Sequence, residues 1–242
     1  MLTRNHVRQV FNAKVIKECK RIPAKVQKDE LQNRKDLRNL LTVTIDGDDA
    51  KDFDDAISIV KNEKGYLLYV HIADVSHYVK ENSALDQEAY LRGNSIYVCD
   101  RVVPMLPFDL SNGICSLNPN VDRLTISCAM QVDEKGNLLT YNVFPSVIHS
   151  DKRCTYKKVN ACLDGDEKAL EDYAEVKDLL FTLETLAKLL KKQSHHRGCI
   201  DFNTKEAKIC MDKNGYPIDV QVLERRFAEQ MIEECMILAN VC

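Results

Sequence analysis

Three polar turns, each carrying a glycine, interrupt runs of alternating apolar residues: Glu63-Lys64-Gly65, Glu134-Lys135-Gly136-Asn137 and Asp212-Lys213-Asn214-Gly215. Each separates two strand-like segments and supplies the residue a hairpin needs, so three β-hairpins are predicted. Residues 125–132 alternate cleanly, with Ile126, Cys128, Met130 and Val132 on one face of a strand. Two further runs, 41–45 and 56–60, are rich in β-branched residues and read as buried strands. Elsewhere the period lengthens. Ser83-Ala84-Leu85-Asp86 resembles a capping box and opens a helix, while residues 170–190 and 222–242 carry apolar side chains at three-to-four spacing. The pattern predicts an α+β fold, a mostly antiparallel sheet with packed helices. The last helix stops with no glycine cap and no basic last turn. Its stripe of Met231, Ile232, Cys235 and Met236 therefore reads as left exposed by a chain cut in mid-domain.

Composition narrows the class. The 242 residues suffice for one large domain or two small ones. A net charge of −3 hides an asymmetry: residues 1–40 hold eleven Lys/Arg against four Asp/Glu, and the remainder holds 23 against 33. The basic segment is either a lead-in helix whose Lys and Arg face water or an arm that tracks a phosphate backbone. Ten cysteines include no Cys-x-x-Cys pair, which removes zinc and thioredoxin-like readings. Several, such as Cys128 and Cys235, occupy apolar positions, a usage that suits a reducing cytoplasm. Neither a signal-peptide pattern nor an apolar run long enough to span a bilayer occurs, so no membrane partner is expected.

The chemistry concentrates between the two β-branched runs. Asp46, Asp48, Asp49, Asp52, Asp54 and Asp55 fall within ten residues, interrupted by one cation, Lys51. Carboxylates this close repel one another, so the run is either fully solvated or held by a bound cation. Flanking core strands favour the second reading. Oxygen donors suit Mg²⁺ or Mn²⁺, ions that use a few carboxylates and keep positions for water and phosphate. An EF-hand is excluded because Gly47 stands at the second place of the loop and no frame puts glycine at the sixth. An aspartyl-phosphate phosphatase would place Asp-x-Asp directly after a hydrophobic strand, whereas Asp48-Asp49-Ala50-Lys51 intervenes before Asp52.

Ile45-Asp46-Gly47, a short spacer, then Asp52-Phe53-Asp54-Asp55-Ala56 closely resembles the signature of the ribonuclease II / ribonuclease R family, the RNB catalytic domain. Val70-His71-Ile72-Ala73-Asp74-Val75-Ser76, Arg101-Val102-Val103-Pro104-Met105-Leu106-Pro107, Leu110 through Leu117, Arg197-Gly198-Cys199-Ile200-Asp201-Phe202 and the stretch from Ile232 to Asn240 are similar to further family segments. The likeness runs from about residue 20 to the end and is strongest to the bacterial ribonuclease R branch. It implies a basic lead-in over 1–40 and, over 41–242, the N-terminal portion of an RNB domain.

What the resemblance implies chemically is a Mg²⁺-dependent, processive 3′→5′ exoribonuclease on single-stranded RNA, releasing nucleoside 5′-monophosphates. Asp46, Asp52, Asp54 and Asp55 would hold the metal, with Asp54 and Asp52 catalytic; Asp48 and Asp49 would face solvent. Tyr156 matches a tyrosine that stacks near the 3′-terminal nucleotides, although by itself it reads as a packing residue at a helix start. Glu233, beside Glu234, matches an acidic pair that positions the final nucleotide; ordinary helix-surface glutamates are the alternative. Arg101 is a candidate phosphate contact, or a partner of Asp100 or Asp109. His195-His196 reads as a loop or helix end. The family's catalytic arginine, in a Ser-Pro-Ile-Arg-Arg-Tyr-like segment, has no counterpart here, nor do its cold-shock and S1 RNA-binding modules. An RNA-holding pseudo-enzyme or non-catalytic fragment is therefore the competing expectation, and a phosphohydrolase acting on something other than nucleic acid is the third.

Overall fold

In the computed structural model, residues 2–99, 101–200, 206–223 and 225–242 are described. Asp100, Asp201 and Phe202 lie outside them. The basic lead-in contributes a short helix α1 (Ala13–Cys19), capped by the Asn12 side chain, and the two-residue strand β1 (Lys35–Asp36). Next come β2 (Val43–Asp46), β3 (Asp55–Asn62) and β4 (Gly65–Ala73), then helices α2 (Val75–Tyr78) and α3 (Ala84–Arg92). A small hairpin, β5 (Ile96–Val98) and β6 (Arg101–Val103), leads through a one-and-a-half-turn segment to β7 (Asp122–Val132), β8 (Leu138–His149) and β9 (Lys152–Thr155). Helices α4 (Tyr156–Leu163), α5 (Glu167–Asp172) and α6 (Lys177–His196) follow, then a hairpin of β10 (Glu206–Met211) and β11 (Pro217–Leu223), and finally α7 (Phe227–Val241).

The main sheet has the strand order β1-β8-β7-β4-β3-β2-β9. Its interior pairs are antiparallel, as the hairpin signals require, but both ends are closed by parallel pairs, β1 with β8 and β2 with β9. All three glycine turns form hairpins. At Gly65 only glycine fits: φ is +118°, and an added Cβ would stand 2.4 Å from the Val132 carbonyl oxygen. Ser83 caps α3 by accepting from the Asp86 N–H, as its sequence predicts.

One face of the sheet carries the main core, where Ile57, Leu68, Val70, Met130 and Val132 meet Leu180, Leu183 and Leu186 of α6. This corrects the exposed-stripe expectation for the last helix. Met231, Ile232 and Cys235 are buried in that core and Met236 packs at its edge; α7 lies on α6 and α4, and the apolar residues it exposes are Ile237 and Val241. Residues 222 and 223, assigned by spacing to the helix, end β11. Nor is the lead-in simply solvated: Arg34 is buried against Asp74 at 2.6 Å, and Arg8 reaches buried Glu88 at 3.0 Å.

The opposite face departs from clean amphipathic alternation, because its polar residues are buried as well. There Thr42 meets Ser58 (2.7 Å), Ser58 meets His71 Nε2 (3.1 Å), His71 Nδ1 meets Ser127 (2.6 Å) and Ser127 meets Ser146 (2.5 Å). This ladder crosses from β3 through β4 and β7 to β8. Burial pushes the His71 pKa down to about 3, so it is neutral at physiological pH. Its folded value lies below its unfolded one, so its contribution is present above pH 6.5 and lost as pH falls toward 3. His71→Phe is expected to cost about 2–4 kcal/mol in urea unfolding, because Ser58 and Ser127 each lose a buried partner. An unchanged midpoint would show that the ladder adds nothing to stability.

Candidate functional site

The acidic loop runs from the C-terminal end of β2 to the start of β3, so Asp46 and Asp55 sit on strand ends and the rest on the connection. Backbone order in this loop comes from a buried anchor. Phe53 inserts beneath it against Leu37, Ala56, Ala73, Leu117 and Ile148. The Phe53 N–H donates to Ser116 Oγ (2.9 Å), the Ser116 hydroxyl donates to the Lys51 carbonyl (3.0 Å), and the Leu117 N–H donates to the Phe53 carbonyl (2.9 Å). The Ala73 N–H donates to the Asp54 carbonyl (2.9 Å). The segment around Ser116 is itself fixed by buried Arg123, which donates to the carbonyls of Ser116 and Gly113. The loop is thus stapled through its main chain and not through its carboxylates.

Three of these carboxylates, Asp46, Asp54 and Asp55, are held above the usual carboxylate range. Burial pushes the Asp46 pKa up to about 7, with further upward pressure from Asp55, Asp54 and Asp52 and a downward pull from Arg153. Asp55 rises to about 6, through burial and then the charge of Asp54. Asp54 is likewise raised, by desolvation and by Asp52. Asp48 and Asp49 are exposed, as expected, and Asp49 pairs with Lys208 of β10 at 2.9 Å. Among the described residues, no group of three or more His, Cys, Asp or Glu side chains is gathered tightly enough to hold a metal ion as they stand. The donor chemistry nevertheless fits a hard divalent cation: the set is all oxygen, partly desolvated and mutually repelling.

Around the loop, the sequence candidates separate. Tyr156 opens α4, directly after Thr155, the register partner of Asp46. Its ring packs against the main core, and its phenol is pushed up to about 12 by burial first and then by the charges of Asp46, Asp55 and Glu229. Arg101 begins β6, on the same small hairpin as Tyr97. Glu233 lies on the exposed side of α7 and pairs with Arg225; one turn earlier, Glu229 accepts from the Asn160 side chain of α4 at 3.1 Å. His195 and His196 end α6.

Two participants were passed over in the sequence. Tyr97, two-thirds exposed, donates its hydroxyl to Asp52 at 3.1 Å. Arg153 donates through Nη2 to the carbonyls of Asp48 (2.7 Å) and Gly47 (3.2 Å) and lies 5.1 Å over the Phe53 ring. Neither had a local signal: Tyr97 stands in a three-residue strand, and Arg153 meets the loop only through the parallel pairing of β2 with β9.

With this geometry in hand, comparison with known proteins is direct. The profile of the RNB domain matches residues 34–242. Ribonuclease R of Thermotoga maritima is 53% identical over 232 residues, covering 95% of this chain and 32% of that protein. Ribonuclease R of Mycoplasma genitalium, solved in complex with ribose-methylated single-stranded RNA, superposes with a TM-score of 0.89 at 34% identity, over 99% of this chain and 37% of that one. Yeast Ssd1, a pseudonuclease, shares the fold at a TM-score of 0.67 and 17% identity, covering 88% of this chain and 26% of that one. The chain spans about a third of the length of the curated relatives it matches.

Proposed function

Because this chain belongs to the RNB-domain family, we propose that it forms the acidic half of the active site of a 3′→5′ exoribonuclease that hydrolyses single-stranded RNA to nucleoside 5′-monophosphates. The observation that carries the reading is the loop itself, whose main chain is anchored through Phe53 and Ser116 while burial and neighbouring loop carboxylates hold Asp46, Asp54 and Asp55 above the usual carboxylate range. Asp46, Asp52, Asp54 and Asp55 would hold Mg²⁺ or Mn²⁺. When bound, such an ion polarises a phosphate and makes water a nucleophile at neutral pH. Asp52, held by the Tyr97 hydroxyl, is oriented before substrate arrives. Tyr156 offers an aromatic ring at the start of α4, and stacking on such a ring holds single-stranded RNA at about 1–3 kcal/mol per base. Arg101, on the Tyr97 hairpin, would contact a phosphate of the RNA. Glu233 would join from α7 on exchanging its Arg225 partner for a nucleotide hydroxyl.

We expect negligible exonuclease activity from the 242 residues alone, because the arginine donor that the family resemblance implies matches none of their segments. A non-catalytic RNA-holding role is the second reading, favoured by the open arrangement of the carboxylates. Calorimetry separates the two. The chain is expected to bind Mn²⁺ with an affinity that Asp54→Asn lowers at least tenfold, because filling the basin relieves its repulsion. Equal, negligible binding by both proteins would leave only the RNA-holding role.

A further inference from the structure

We propose that Arg153 is the positioning residue of the acidic loop: its guanidinium fixes the Gly47–Asp48 turn so that the carboxylates of Asp46, Asp52, Asp54 and Asp55 can close on one cation. The proposal rests on the metal-holding reading above and concerns how the loop is kept ready for it.

Three contacts converge on this side chain. Nη2 donates to both the Asp48 and Gly47 carbonyls, pinning the first turn of the loop. The guanidinium lies over the ring of Phe53, the residue that anchors the second half of the loop in the core. Arg153 is therefore a strut between the two halves, Asp46 to Asp48 on one side and Asp52 to Asp55 on the other. Its own position is set from outside the loop. In the parallel pairing of β9 with β2, Arg153 stands opposite Thr44, two residues before Asp46. The two rows that follow are fixed: Cys154 is buried opposite Ile45, and Thr155 caps α4 opposite Asp46. Meanwhile Nε is buried with no hydrogen-bond partner among the described residues. Arginine is thus accommodated for what Nη2 and its flat face reach, and not for full hydrogen-bond satisfaction. Both carbonyl bonds come from one nitrogen, which a lysine ammonium could imitate, but lysine has no flat face to cover Phe53 while it does so.

The sign of the effect makes the role testable. A cation beside a carboxylate basin repels an incoming metal ion, so on charge alone, deleting Arg153 should tighten metal binding. A strut gives the opposite result. Arg153→Met and Arg153→Lys would be titrated with Mn²⁺ by electron paramagnetic resonance, alongside wild type and Asp54→Asn, with thermal melting to establish that each is folded. We expect Arg153→Met to bind about 10–100-fold more weakly than wild type, as loss of supporting partners commonly does at metal sites, and Arg153→Lys to recover little of the loss. Binding by Arg153→Met that equals or exceeds wild type would overturn the proposal, as would full rescue by Arg153→Lys. If Arg153→Met does not fold, Arg153→Lys alone decides, since it keeps the charge and the aliphatic stem. Failure of wild type itself to bind better than Asp54→Asn would instead remove the metal-holding reading on which the proposal rests.

Discussion

Asp54→Asn, placed in a polypeptide of the length of the ribonuclease R relatives, is expected to lower turnover of single-stranded RNA by at least about a hundredfold, the scale on which a charge-stabilising group is lost. Affinity for RNA should change little. Phosphate contacts and base stacking dominate binding, and the Asp54 carboxylate would itself repel the backbone. The substitution is nearly isosteric, and its carbonyl anchor to the Ala73 N–H is a main-chain bond that the change leaves in place. Single-turnover kinetics with filter binding on the same preparation would check both halves. Loss of affinity in proportion to loss of rate would assign Asp54 to holding the site together and not to the chemistry.

The second large effect is on stability and has the opposite sign from most substitutions. In the absence of divalent cation, Asp46→Asn is expected to stabilise the chain at pH 7–8, on the order of 1–3 kcal/mol. The folded pKa of Asp46 is raised from 3.8 to about 7 and that of Asp55 to about 6. A carboxyl whose folded pKa is raised binds its proton more tightly in the folded state. Its favourable contribution is therefore present below pH 3.8 and is lost as pH rises through 6 and 7. Wild type should thus lose stability between pH 4 and 7 relative to Asp46→Asn, and Mg²⁺ should restore it to wild type alone. Urea unfolding at pH 5 and 7.5, with and without Mg²⁺, measures this; identical pH slopes for the two proteins would contradict it. His71 adds a contribution of the other slope, common to both proteins, so the difference between them isolates Asp46.

How far the sequence foretold this arrangement depends on how local each determinant is. The acidic loop was legible because its own flanks declare it: β-branched runs on both sides and six aspartates between. The three hairpins and the α3 cap were legible for the same reason, as glycine and serine act within four residues of themselves. Arg153, Ser116 and Tyr97 were not. Each reaches the loop through a pairing or staple whose partner lies 45 to 106 residues away, and no periodicity encodes that. The α7 stripe was misjudged for a related reason. An apolar face predicts that something covers it, but α6 and α4 as the cover emerge only from the fold. The buried ladder around His71 was hidden by its composition, since serine, threonine and histidine alternating with apolar residues look like a wet face.

The parallel edge between β2 and β9 also bears on when the site can exist during synthesis. The Thr42 N–H donates to the Asp151 carboxylate across 109 residues, and Arg153 reaches Asp48 across 105. At ribosomal speeds of about 5–20 residues per second, roughly 5–20 s separate the emergence of the acidic loop from that of the strand that holds it. Pairing of such sequence separation is slow to nucleate because the intervening chain must close first. A nascent chain therefore carries its carboxylates for many seconds before it carries the assembled basin. The loop and the strand that braces it are neighbours in space but far apart in synthesis, so the site is complete only once β9 has paired with β2.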